Sequence, residues 1–274
     1  MNISISNIAW DKRNDDEVSS ILKKYDLKHI DIAPTKYFPS PSMSTDSDIF
    51  SVKEYWDKQG ISIIGMQSLL FGTQGLNVFS DAENQDKMLS HLSSICHIGK
   101  LLDAKKLVFG SPRNRDRSLL NDDETRIIAI DFFNRLGDIA EENNVIICLE
   151  PNPTCYNSNF MVDSLETASV VKSINHSHIK MQLDVGAMYI NNEDPNIIIP
   201  DVCNLVGHIH ISEPQLSAIN AHNEYHHKVA PLLSQFLPEK DITIEMLTSS
   251  ETQSSHEINN SIEFVIQTYK EMVA

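Results

Sequence analysis

Short runs rich in β-branched residues alternate with longer amphipathic stretches along the whole chain. The runs predict strands over Asn2–Ala9, His29–Ala33, Ile61–Gln67, Lys106–Gly110, Val145–Glu150, Ile179–Asp184, Leu205–Ile211 and Asp241–Met246. Helical patterns fill the intervals: Asp15–Tyr25, Asp46–Gln59, Glu83–Leu102, Asp122–Asn143, Asp163–Ile174, Asp194–Val202, Glu224–Phe236 and His256–Met272. Asn121-Asp-Asp-Glu and Asp163-Ser-Leu-Glu open two of them with side-chain acceptors for first-turn N–H groups. Strands such as VIICLE and LVGHIHI read as nearly continuous apolar runs, the pattern of a parallel sheet covered on both faces.

Strand–helix alternation in this number predicts a (β/α)8 TIM barrel, one domain over residues 1–274. Such a barrel routinely uses ~250 residues as one unit. An open doubly wound sheet is the competing fold. No G-x-G-x-x-G follows the first strand, and nine glycines in the chain make a dinucleotide-cradling loop a poor expectation. The segment Tyr37-Phe-Pro-Ser-Pro-Ser-Met43 is too short for a linker and reads as a loop.

Composition narrows the classes further. Apolar residues make up 41% of the chain, enough for a sizeable core. Twenty-two basic residues against thirty-eight acidic ones give a net charge of −16, which disfavours a nucleic-acid partner. No apolar run is long enough for a membrane span, and MNISISNIAWDKRNDDEV does not read as a secretory signal. Cys96, Cys148, Cys155 and Cys203 lack CxxC spacing; Cys148 and Cys203 fall in strand-like runs, so reduced thiols and a cytoplasmic location are expected.

In a parallel barrel the chemistry lies where the strands end. Strand five ends in Glu150, strand six in Asp184, strand seven in His210 and strand eight in Glu245. The intervals of 34, 26 and 35 residues match one βα unit each. A lone glutamate at a strand end is commonly a solvated or salt-bridged residue, but four successive strand ends of this kind are not. Three carboxylates and one imidazole suit Mn²⁺, Mg²⁺ or Co²⁺ and also hold Zn²⁺. Unpaired, the carboxylates would repel one another, and a divalent cation removes that repulsion.

These segments, CLEPNP (Cys148–Pro153), QLDVGAM (Gln182–Met188), GHIHISEP (Gly207–Pro214) and TIEM (Thr243–Met246), resemble the xylose isomerase-like TIM barrels. They are most similar to the sugar phosphate isomerase/epimerase branch, with its ketose 3-epimerases, inosose dehydratases and hydroxypyruvate isomerases. SNIAWD (Ser6–Asp11), IAPTK (Ile32–Lys36), MQSLLFG (Met66–Gly72) and FGSPRNRDR (Phe109–Arg117) extend the resemblance over the first half. The resemblance implies Glu150, Asp184, His210 and Glu245 as ligands of one divalent ion, with Mn²⁺ expected. It implies Glu150 and Glu245 as an acid/base pair as well. The implied chemistry is epimerisation or aldose–ketose isomerisation of a sugar or sugar phosphate through a cis-enediolate. A dehydratase would use the same base and ion.

Two positions depart from the ketose epimerases. Their LEP-x-N-R-x-E after strand five becomes Leu149-Glu-Pro-Asn-Pro-Thr-Cys-Tyr156, and their histidine three residues after the strand-six aspartate becomes Ala187. The grip on the sugar is therefore expected to differ from that on a free ketohexose. The loop Ser111–Arg117 carries three arginines in an acidic protein; Arg113, nearest the strand end, is expected with Lys36 to bind an anionic substrate. The competing reading pairs these arginines with Asp116, Asp122 and Asp123.

Gln67, Asn152, His208 and Glu213 complete the expected substrate-binding set. Gln67 also suits a packed barrel layer, and Glu213 a salt bridge. His208 and His210 share a strand face, so one of them is expected in a supporting role. Asn7 and Trp10 are expected near the mouth. His222, His226 and His227 open the seventh helix pattern more readily than they form a second metal site. Two further classes remain: a phosphodiesterase resembling endonuclease IV, and a barrel that binds sugar without chemistry. The first needs more histidines at strand ends. His29 opens its strand, strand three ends in Gln67, and His91 and His97 fall in a helix pattern. A small sugar is thus the expected partner, with homo-oligomerisation open.

Overall fold

Eight strands pair in sequence order and close on themselves, with β1 bonded to both β2 and β8 and every pairing parallel. The computed structural model describes residues 2–219 and 224–271. The strands are β1 (Ile3–Ser6), β2 (His29–Ile32), β3 (Ser62–Met66), β4 (Lys106–Phe109), β5 (Ile146–Leu149), β6 (Ile179–Asp184), β7 (Val206–Ser212) and β8 (Ile242–Glu245). Around them run α1 (Asp15–Lys24), α2 (Asp46–Lys58), α3 (Ala82–Leu102), α4 (Asp122–Glu142) and α5 (Ser164–Ile174). Then come α6 (Val185–Ile190), α7 (Pro195–Val202), α8 (Glu224–Phe236) and α9 (Ser254–Ile266). This is the TIM barrel expected from the alternation. No described helix is long and apolar enough to cross a membrane.

β3, β4 and β5 carry consecutive apolar residues on both faces, as in Leu107-Val108-Phe109 and Ile147-Cys148-Leu149, while the other five strands do not. In β1, β2, β8, the end of β6 and β7 from His208 onward, apolar and polar positions alternate: Ile3, Ile5, Ile30, Ile32, Leu183, Ile209, Ile211 and Ile244 on one face, Ser4, Asp31, Gln182, His208, His210 and Thr243 on the other. The apolar face packs against helix residues such as Leu22, Trp56, Phe132, Phe133 and Ile262 in one cluster between sheet and helices. Burying each such side chain contributes roughly 1.5–3 kcal/mol, and this ring is the core. The polar face lines the lumen. Asp31 and His208 sit on non-adjacent strands, yet their side chains meet at 2.7 Å, which is possible only across the barrel interior.

Local chemistry sets the ends of the elements. Asn121 and Glu124 form a reciprocal capping box at α4, and Asp163 accepts the Glu166 N–H at α5. β1 stops at Ser6, earlier than Ala9, because Ser6 accepts the Ile8 N–H and opens a 3-10 turn over Asn7–Ala9. Asp184 does the same at the end of β6, where α6 begins at once; its apolar VGAMYI had no break to mark it as a helix. Cys203 lies in a 3-10 turn before β7 and not in a strand, and all four cysteines are free.

Candidate active site

Four ligand-type side chains converge at the C-terminal ends of β5 to β8. Glu150 stands one residue past β5, its N–H still bonded to the Phe109 carbonyl at 3.1 Å, so the ladder fixes its direction. Asp184 and Glu245 are the last residues of β6 and β8, and His210 lies two residues before the end of β7. Ligand atoms of all four lie within 4.8 Å of one another. His210 Nδ1 is 3.1 Å from Glu150 Oε1, 3.2 Å from Glu245 Oε2 and 3.9 Å from Asp184 Oδ2. Adjacent ligands of an octahedral ion with bonds near 2.1 Å stand about 3.0 Å apart, so this spacing fits a single hard divalent ion.

Charge tells the same story. Burial, then Glu150 and Glu245, raise the Asp184 carboxyl to about 8. Burial alone would disfavour a protonated His210, but Glu245 and Glu150 outweigh it and raise its pKa well above the ordinary histidine value. Burial would also raise Glu245, yet the His210 charge and hydrogen bonds from His210 and Gln67 bring it below the usual range. One imidazole lies against three carboxylates, with the buried Arg115 guanidinium behind Glu150, and a divalent cation would supply further positive charge.

The neighbours hold this cluster in place. Asp184 Oδ1 accepts the Ala187 N–H at 2.6 Å and Oδ2 accepts the Ser212 hydroxyl at 2.9 Å. Ser212 in turn accepts the Gly186 N–H, and a Cβ at Gly186 would stand 2.8 Å from its oxygen. Gln67 Nε2 donates to Glu245 Oε1 at 2.6 Å across the mouth. Asn152 Nδ2 approaches Glu150 Oε2 at 3.4 Å. Gly110 leaves the space that Glu150 occupies, since a Cβ there would fall 1.9 Å from Oε2.

Sequence reasoning missed Ser212, Asp31 and Arg115. Arg115 is fully buried; its Nη1 donates to the Glu150 main-chain carbonyl at 2.7 Å. Burial pushes that guanidinium down to about 10, against the pull of Glu150 and Glu166. Three arginines at alternate positions of a turn did not reveal which one turns inward. Arg117 pairs with Asp122 and donates to the Asn159 carbonyl at 2.9 Å, as in the surface-pairing reading. Arg113 lines the mouth cavity, with Nη2 on the Thr73 carbonyl at 3.0 Å.

That cavity, of about 270 Å³, lies between the loops after β3 and β4. Gln67, Phe71, Phe109 and Arg113 are among its walls, and Glu150 and Glu245 join it to the ligand cluster. Its size is near the lower end of the ~300–1,000 Å³ typical of small-molecule sites.

Other expected residues lie elsewhere. Lys36 does not line this cavity; its ammonium donates to the carbonyls of Asn7 and Trp10, both at 2.5 Å, because that half-buried charge needs acceptors nearby. His208 is 2% exposed, bonded to Asp31 Oδ2 at 2.7 Å, and does not line this cavity. Glu213, buried at the start of the loop after β7, faces His226 Nε2 at 3.3 Å. His226 also bonds the Tyr269 hydroxyl at 2.6 Å, and His227 packs on Phe264. No metal-like cluster among the described residues includes either histidine, and His222 lies outside the described residues. Asn7 is buried near the end of β1, where its Oδ1 accepts the Ala33 N–H, and the Trp10 indole bonds Asp15. His91 and His97 bond the Leu69 carbonyl and Asp46, as helix-packing residues do. Tyr156, at the position of the missing acid, accepts the Gln215 N–H at 2.7 Å and ties two mouth loops together.

Comparison with known proteins agrees with this architecture. The chain is similar to D-psicose 3-epimerase from Clostridium cellulolyticum H10, solved with D-tagatose: 14% identity, TM-score 0.82, 98% of this chain and 99% of that one. It is similar to the 3-keto-D-glucoside 4-epimerase of E. coli at 15% identity and TM-score 0.78, covering 97% and 99%. The IolI protein with a bound zinc atom gives 14% identity and TM-score 0.75, covering 99% of both chains. A search of the curated proteins finds no match. A family model described as xylose isomerase-like TIM barrel matches residues 20–231, and the chain belongs to that family.

Proposed function

We propose that this chain is a divalent-metal-dependent isomerase that epimerises or isomerises a small sugar or sugar phosphate next to a carbonyl. The observation that carries the reading is the double membership of Glu150 and Glu245: both belong to the ligand cluster, and both line the cavity. The neighbouring folds solved as ketose and keto-glucoside epimerases support the substrate class.

Glu150, Asp184, His210 and Glu245 would hold the ion, with Mn²⁺ our first choice. When bound, it would polarise the substrate carbonyl and acidify the adjacent C–H. One of the two glutamates removes that proton, leaving a planar enediolate. Return of a proton by the other glutamate from the opposite face inverts the carbon; return to the neighbouring carbon interconverts aldose and ketose. Gln67 holds one oxygen of Glu245 and so fixes the direction of the other. Arg113 supplies the charge that favours a phosphate or carboxylate on the substrate. Tyr156 and Ala187 replace the acid and the histidine of ketose epimerases, so the remaining sugar hydroxyls meet a different wall.

The test is deuterium wash-in. The Mn²⁺-loaded protein is incubated in heavy water with phosphorylated, acidic and neutral ketoses, and exchange at carbon is read by mass spectrometry. Glu150→Gln should lower exchange by about 10²–10⁴-fold. Unchanged exchange in that variant, with Mn²⁺ still bound, would remove Glu150 from the acid/base pair.

A further inference from the structure

Beneath the ligand cluster, a second group of polar side chains fills the lumen. Asp31 on β2 and His208 on β7 are almost wholly buried, and Asp31 Oδ2 is 2.7 Å from His208 Nε2. Thr243 Oγ1 approaches the same nitrogen at 3.2 Å and is itself 2.6 Å from Ser4 Oγ, so the pair is anchored to β8 and β1. The room for Asp31 is made by Gly65, where a Cβ would stand 2.5 Å from the carboxylate.

This group reaches upward to His210. Ligand-type atoms of Asp31, His208 and His210 lie within 4.8 Å of one another, and the two histidine rings meet edge to face at 5.4 Å. His210 turns Nδ1 to the three carboxylates, which leaves Nε2 on the far side of the ring. Both Nε2 and Asp31 Oδ1 are buried without a hydrogen-bond partner. Buried polar atoms in native proteins are nearly always satisfied, and of the orphans on this inner face, which include the Gln182 amide, Asp31 Oδ1 is the carboxylate oxygen able to accept from an imidazole N–H.

A second cation held by this trio fits less well. Two ligands of a tetrahedral ion with bonds near 2.05 Å stand about 3.4 Å apart, and octahedral neighbours about 3.0 Å. The observed 2.7 Å is a hydrogen bond between Asp31 and His208.

We infer that Asp31, gripped by His208, is a positioning residue for His210. Its free oxygen accepts the Nε2–H of His210, across one water or after a small rotation of the carboxylate. That bond keeps the proton on Nε2 and leaves Nδ1 as the nitrogen offered to a metal. Carboxylates behind metal-bound histidines act in this way in general. The inference rests on the metal site proposed above and adds what orients its single nitrogen ligand.

The experiment uses the full chain with Mn²⁺ or Zn²⁺ as the only added ligand. Asp31→Asn and, independently, Gly65→Ala should each weaken Mn²⁺ binding about 10–100-fold, with circular dichroism unchanged. Gly65→Ala displaces Asp31 without touching a ligand residue. With ¹⁵N-labelled histidine and Zn²⁺, His210 of the unmutated protein should show a protonated Nε2 and a metal-bound Nδ1, and Asp31→Asn should shift the Nε2 signal. This spectrum decides the matter even if a variant fails to fold. A His210 bound through Nε2, or unaltered Mn²⁺ affinity in both folded variants, overturns the inference alone. An unmutated protein that binds neither ion overturns the metal-site reading, and the inference with it.

Discussion

The mouth of the barrel has two unlike halves. β5 to β8 end in Glu150, Asp184, His210 and Glu245, four ionisable groups with ligand atoms inside 4.8 Å. β1 to β4 end in groups already engaged: Lys36 on two carbonyls, Asp31 on His208, Gln67 on Glu245, Arg115 on the Glu150 carbonyl. What this half offers is room, between the loops after β3 and β4 that wall the cavity. The difference sets a half dense in ionisable side chains against a half that holds space. Charge is concentrated where side chains are held but not neutralised, and space is left opposite, where cations and amides are tied back into the wall.

Removing one ligand is the strongest way to break this comparison. Asp184 is held by two hydrogen bonds and lies 3.9 Å from the imidazole that it shares with Glu150 and Glu245. Asp184→Ala should abolish retention of Mn²⁺ through gel filtration, measured by elemental analysis, and deuterium exchange should fall to background. A variant that still retains a full equivalent of ion would show that the charged half is not the metal centre.

Much of the charged half was legible in the sequence because it is local. Each of the four residues stands at or near the end of a strand run, and one βα unit separates each from the next. The supports were not legible, because closure of the barrel creates them. Asp31 and His208 are 177 positions apart and meet only when β2 and β7 face each other. The alternating inner faces of β1, β2, β6, β7 and β8 were visible as residues, yet composition drew attention to their apolar half. In Pro112–Arg115 the turn, and not the order of the arginines, decides that Arg115 goes inward and Arg113 lines the cavity. Ser212 was one strand residue beyond the expected end of β7, so its contact with Asp184 had no signal.

The roomy half should respond more mildly, and differently at two cations. Arg113→Ala should raise KM for phosphorylated or acidic sugars about tenfold, roughly 1.4 kcal/mol, and leave neutral sugars nearly unchanged. Lys36→Met should leave KM alone and lower Tm instead, since the carbonyls of Asn7 and Trp10 each lose a donor. If Lys36→Met shifts KM for anions as strongly as Arg113→Ala, the lysine reaches substrate after all and the two halves are less distinct.

The smallest effect concerns the thiols: Cys148 on β5, Cys96 on α3 in the core between sheet and helices, and Cys155 on a mouth loop. Cys148, two residues below Glu150 on β5, is buried, and burial pushes its thiol up to about 12 despite Lys106 and Lys240; burial does the same to Cys96. Cys155, on the loop after β5, is exposed. At pH 8 a thiol titrating near 12 is ionised to about one part in ten thousand, and alkylation follows the thiolate. Iodoacetamide should therefore label Cys155 within minutes, while Cys148 and Cys96 stay unmodified until denaturant is added. Raising the pH speeds labelling of a raised thiol only in proportion to its ionised fraction, so access adds a second barrier. Peptide mapping distinguishes the sites. Labelling of Cys148 as fast as Cys155 in the folded protein would mean that the lumen under the ligand strands opens to solvent, and the firm support attributed to that half would be lost.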